Sequence, residues 1–178
     1  MTEPLLMGFI LSVNDTKKMN LIKLALSQLI GKEIDRDDRA YLFVKGNVEI
    51  PKRAAGFFHT MPGVTGRVNL PEAIEKTTYI LGKENLDDYR KLIFVITDKI
   101  TDHDIEMFRR VSNMNDNSFF EITYIFCDFG DKDWSILNDL GVTYWKVNDP
   151  SEFRDEIIGF LKELEERVNG RNVQRNEE

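Results

Sequence analysis

Any chemistry in this 178-residue chain has to be done with few parts. Histidine occurs only as His59 and His103, and cysteine only as Cys127, so a zinc shell or a Ser/His or Cys/His nucleophile pair lacks components. His103 stands between Asp102 and Asp104, neighbours that would suit a general base. The same run also opens a helix, where acids favour the positive end of the helix dipole, and that reading is the better one. Carboxylates gather in two places, Asp98 with Asp102 and Asp104, and Asp128 with Asp131 and Asp133. Both clusters read as solvated turns, except that Asp98 ends a strongly apolar run and is the best-placed candidate metal ligand. The segment Val13-Asn14-Asp15-Thr16-Lys17-Lys18 has no glycine to let backbone approach a pyrophosphate, so nucleotide binding is not expected.

Contact surfaces have more to work with. Residues 51–69 are punctuated by Pro51, Gly56, Pro62, Gly63 and Gly66, and irregular spans of this length often carry function. Phe57, Phe58 and Met61 within it would make an apolar anchor if exposed, since aromatic and Met side chains favour interface centres. The other reading packs Phe57 and Phe58 against the sheet edge, with a further edge strand through Ala54 to Phe58. Trp134 is a second anchor candidate.

The elements that must position these residues follow from periodicity. Leu5–Val13 is a near-continuous apolar run, the pattern of a central parallel strand covered on both faces. Apolar positions from Met19 to Ile30 recur at helical spacing, with Gly31 as a stop. Ala40–Val44, a turn at Lys45-Gly46-Asn47 and Val48–Ile50 form a hairpin at a sheet edge. Pro71 opens a helix that ends near Gly82. Leu92–Thr97 is a strand ended by Asp98, and a helix starts at Asp102 or His103. Glu121–Phe126 is a strand, Trp134–Leu140 a short helix, Val142–Val147 the last strand and Phe153–Val168 a terminal amphipathic helix. This alternation predicts one α/β domain over residues 1–168, a Rossmann-like three-layer sandwich. Its sheet should be mostly parallel and six-stranded, with one antiparallel edge strand and helices on both faces. Residues 169–178 form a polar tail in which Arg167, Arg171 and Arg175 recur every fourth position just before and within it.

Composition narrows the partners. Apolar residues at 42% and charged residues at 31% give an ordinary globular balance, and a net charge of -7 disfavours a nucleic-acid backbone as partner. No segment reaches the roughly 18 apolar residues of a membrane helix, Met1-Thr2-Glu3-Pro4 does not resemble a secretion signal, and Cys127 has no disulfide partner. A cytoplasmic location is expected.

The order of elements from residue 5 to 168 resembles that of von Willebrand factor A domains. Asp38–Asn47 resembles the family's second strand and turn, Leu92–Asp98 its hydrophobic strand ending in Thr-Asp, and Phe120–Phe126 with Leu137–Val147 its final strands. The resemblance implies a metal-ion-dependent adhesion site at the carboxyl ends of the strands, whose first loop reads D-x-S-x-S. One register sets Asn14, Thr16 and Lys18 on those positions, and another sets Ser12, Asn14 and Thr16. Neither keeps the leading Asp. Where the family donates a Thr from its second loop, this chain has Gly66-Arg67-Val68-Asn69, and Val68 cannot ligate. Asp98 preserves the third element. Mg²⁺ needs several oxygen ligands, and this reduced set of Asp98, Thr16 and Asn14 offers few.

With the chemical alternatives weighed, the reading is a non-catalytic protein-binding module with no resident cofactor. Its site would be built from Asn14, Thr16, Lys18, Phe57, Phe58, Met61, Arg67 and Trp134, with the Lys18 ammonium near Asp98 in place of a cation. The alternatives are a domain that binds ligand through a divalent ion such as Mg²⁺ at Asp98, and a small hydrolase using Asp98.

Overall fold

The computed structural model describes residues 4–32, 38–44, 46–49, 61–83, 88–114 and 122–163. Its strands are β1 (Leu5–Ser12), β2 (Arg39–Val44), β3 (Asn47–Glu49), β4 (Arg90–Thr97), β5 (Ile122–Asp128) and β6 (Thr143–Lys146). Its helices are α1 (Thr16–Lys32), α2 (Leu70–Lys83), α3 (Asp102–Met114) and α4 (residues 153–163). The sheet order is β3-β2-β1-β4-β5-β6. From β2 to β6 the strands are parallel, and the three-residue β3 pairs antiparallel with β2. The parallel body thus has five strands, and the expected count of six is reached only through that short segment.

Every residue of β1 is buried, which is why its sequence is a continuous apolar run rather than an alternating one. Alternation still sorts its side chains between two cores. Met7, Phe9 and Leu11 join Ile22 and Leu26 of α1 and Phe153 and Ile157 of α4 on one face. Leu6 and Ile10 join Ala73 and Ile74 of α2 and Phe108 of α3 on the other. Gly8 lets α2 lie close, since a Cβ there would meet Thr77 Cγ2 at 2.6 Å. Cys127 is fully buried in the first of these cores, where burial pushes its thiol pKa far up.

Helix starts are set by side chains that accept from otherwise unpaired N–H groups. Asp15 Oδ1 accepts from Lys18 N at 3.0 Å ahead of α1, and Asn69 Oδ1 accepts from Glu72 N at 3.1 Å ahead of α2. Thr101 and Asp104 cap reciprocally, Thr101 N to Asp104 Oδ2 at 2.9 Å and Asp104 N to Thr101 Oγ1 at 3.1 Å. The start of α3 is therefore at Asp102, with Thr101 as its cap.

Smaller corrections follow from local geometry. Gly31 does not stop α1, which runs to Lys32. The short helix expected over 134–140 is a 3-10 helix, Ser135–Leu140, closed by Gly141 at φ 77°. Ala54–Phe58, the C-terminal end of the last helix and the tail lie outside the described residues. No described helix is long and apolar enough to cross a membrane.

Candidate functional site

Strand register brings the candidate residues together. Ser12 of β1 stands opposite Thr97 of β4, which stands opposite Asp128 of β5, so the loops leaving these three strands emerge side by side. After β1 the chain moves outward to β2 and then returns across β1 to β4, making the β1/β4 boundary the point where strand order reverses. Open α/β sheets form a crevice there. Thr97 Oγ1 donates to Ser12 O at 2.9 Å and lies 3.0 Å from Lys99 O, fixing the end of β4 against β1.

Asp98 is the hub of this crevice, with its side chain 8% exposed. Its Oδ2 accepts from the backbone N–H groups of Asn14 at 3.0 Å and Asp15 at 3.2 Å. Its Oδ1 is shut off from solvent and faces the Arg67 guanidinium, whose NH1 is 3.2 Å away. That contact is an ion pair, without the angles of a well-aligned hydrogen bond. Arg67 reaches Asp98 because its loop is clamped to β1: Val68 N donates to Ser12 Oγ at 3.0 Å, and Gly66 turns the chain at φ 65°. Ser12 is buried in this clamp, and Val68 packs against the second core.

The Lys18 ammonium is not beside Asp98 as expected. It donates to Phe129 O at 2.9 Å, tying α1 to the loop after β5. The cation at Asp98 is Arg67 instead. Asn14 and Thr16 are exposed at the crevice rim, and Asn14 meets Asp98 through its backbone N–H. Met61, expected on an exposed loop, belongs to the first core, because the 3-10 turn Met61–Gly63 folds it inward. Trp134 is half-buried against the second core. Phe57 and Phe58 lie outside the described residues. His103 is exposed, and its neighbour Asp104 is engaged in capping α3.

A second polar network was read from sequence only as an acidic turn. Asp128 is 1% exposed; its Oδ2 accepts from Tyr144 OH at 2.6 Å and its Oδ1 from Gly130 N at 2.8 Å. Tyr144 OH in turn accepts from Trp134 N at 3.1 Å. The Lys146 ammonium stands 3.6 Å from Asp128 Oδ2, and it donates to Gly130 O and to Lys132 O, the latter at 2.7 Å. Burial and the bond to Asp128 both push the Tyr144 pKa upward. Asp131, Lys132 and Asp133 are exposed on the resulting loop, so the crevice rim alternates in charge.

A divalent ion of the kind the adhesion site holds would need free oxygens converging here. Among the described residues no group of three or more His, Cys, Asp or Glu side chains is placed to hold a metal ion. Asp98 Oδ2 already accepts two N–H groups, Ser12 Oγ is committed to the Val68 backbone, and position 68 offers no side-chain oxygen. The described residues, as they are arranged, do not offer that ion a ligand shell.

No family model matches the sequence, and no curated protein matches it. Solved structures do match in fold. The von Willebrand factor type A protein from Catenulispora acidiphila superposes with a TM-score of 0.66 at 12% identity over 89% of this chain, which spans 42% of that protein. The SpRpn10 VWA domain gives 0.61 at 12% identity, covering 83% of this chain and 93% of that one. Manganese-loaded TRAP protein from Plasmodium vivax gives 0.58 at 13% identity, covering 92% of this chain and 74% of that one. The likeness is one of fold.

Proposed function

We propose that this von Willebrand factor A-like domain is a non-catalytic module that binds another protein through the loops at the carboxyl edge of its sheet, with no need of a metal ion. The observation that carries this reading is the engagement of Asp98. Its oxygens face the Asn14 and Asp15 amides and the Arg67 guanidinium, so the chain itself holds these loops together. What the loops then offer a partner is a rim of polar and charged side chains, among them Asn14, Thr16, Lys17, Arg67 and Lys99. A surface of mixed charge suits recognition by complementary potential. A cytoplasmic setting belongs to the same reading, because the one thiol is buried and needs no oxidising compartment.

One observation favours the metal-dependent alternative. Asp98 Oδ1 is buried without an aligned hydrogen bond, and a small cation would satisfy it if Arg67 swung away. Affinity capture with the tagged full chain, run in chelator and in Mg²⁺, separates the two readings. A partner held equally in both and lost on Thr16→Arg or Lys99→Glu is the expected result. Capture that depends on Mg²⁺ favours the alternative, and capture indifferent to both rim substitutions overturns the proposed face.

A further inference from the structure

The geometry points to Arg67 as a tethered cation that occupies the electrostatic place a divalent ion holds in adhesion sites of this fold. An ion in such a crevice draws separate loops onto one charge. Here the charge is delivered by a side chain: Arg67 NH1 lies 3.2 Å from Asp98 Oδ1, while Asp98 Oδ2 gathers the Asn14 and Asp15 amides. Three loops therefore meet at one carboxylate. Each is independently placed, the first by the Asp15 cap of α1, the second by the Ser12–Val68 clamp and the third by the Thr97 contacts at the end of β4. The guanidinium is thus held close to Asp98 by its own loop, and a planar, permanently charged group is better suited than an ammonium to a carboxylate shut off from water.

Exposure divides between the partners as this role requires. Asp98 is 8% exposed and Arg67 41%, so the carboxylate is enclosed while the cation forms part of the rim. A buried carboxylate without a facing cation would be costly, and Arg67 supplies the compensation. The inference shares its site with the binding reading above but does not depend on any partner, because its test uses the isolated chain.

Hydrogen exchange at the Asn14 and Asp15 amides and thermal melting would be measured on the full chain, with millimolar Mn²⁺, with chelator and with neither. The wild type is expected to melt at the same temperature in all three and to show no heat of Mn²⁺ binding by calorimetric titration. Arg67→Ala should lower protection of the two amides by about tenfold, as expected for losing one interaction with a charged group. Arg67→Lys should restore part of it. Asp98→Asn supplies the control for a merely structural effect, since Arg67→Ala added to Asp98→Asn should cost far less than it does alone. A wild-type melting temperature raised by Mn²⁺ and returned by chelator would overturn the inference. So would equal protection in Arg67→Ala and wild type, or additive costs in the double variant.

Discussion

Gly130→Ala tests how tightly the loop after β5 is pressed onto the crevice. Gly130 is not in the positive-φ region, so space, not backbone freedom, is what the glycine supplies. A Cβ built there lies 2.7 Å from the backbone oxygen of Asp98, 3.1 Å from Asp128 Oδ1 and 3.3 Å from the Asp98 carbonyl carbon. Ordinary contact begins at 3.4 Å, and two of these neighbours are backbone atoms that cannot rotate away. The loop would have to retreat, yet it is tied by Phe129 N to Thr97 O at 2.8 Å, Gly130 N to Asp128 Oδ1 at 2.8 Å and the Lys18 ammonium to Phe129 O at 2.9 Å. Overpacking of this kind costs about 1–3 kcal/mol. For a chain of this length that lowers Tm by about 3–9 °C. Gly159→Ala is the matched control. Gly159 is exposed in α4, nothing lies within 4 Å of its Cβ position, and alanine there should stabilise the helix by up to about 1 kcal/mol. Differential scanning calorimetry of the two variants should thus give shifts of opposite sign. If Gly130→Ala melts within about 1 °C of wild type, the close approach of this loop to Asp98 is wrong.

Two further substitutions probe the buried polar groups. Tyr144→Phe removes the 2.6 Å bond to the Asp128 carboxylate and the acceptor for Trp134 N, and should cost about 1.5–3 kcal/mol, read as a lower urea midpoint at unchanged slope. Burial raises the Glu156 pKa above its ordinary 4.5, helped by Glu152 and Asp149 and opposed by a hydrogen bond from Trp145. An acid raised on folding favours the folded state below its unfolded pKa, and that contribution is lost as pH rises through the higher folded value. Glu156→Gln should therefore match or trail wild type near pH 4 and exceed it by up to about 2 °C in Tm at pH 7; a variant less stable at neutral pH would contradict the sign.

The strands were readable because each buried one is an unbroken apolar run, and Asp98 was readable as the polar residue that ends the most apolar of them. Its partner was not. Arg67 meets Asp98 only because Ser12 clamps Val68 and Gly66 turns the chain, and neither contact leaves a periodic trace. Lys18 stands nearer the first loop in sequence, in the first turn of α1, but its reach ends on the Phe129 carbonyl. The start of α3 at Asp102 was legible, but its capping pair, Thr101 with Asp104, was not, because a Thr just ahead of an acidic run leaves no periodic signal. Asp128 looked like one of three solvated acids. Its burial depends on the β5–β6 register, which pairs it with Lys146 and sets Tyr144 close by. Met61 sat among turn-forming residues, yet the turn itself delivers it to the core.

Cys127 gives the molecule a built-in clock. It is the one sulfhydryl in the chain, it sits on β5, one strand in from the β6 edge of the sheet, and its side chain has no solvent exposure. That side chain lies in the core between the sheet and helices α1 and α4, so a thiol reagent reaches it only when that helix layer lifts from the sheet, and the rate of modification under native conditions counts those openings, not motions of the rim loops. Motions of the crevice loops and openings of this core can thus be timed separately, the latter through a single native residue.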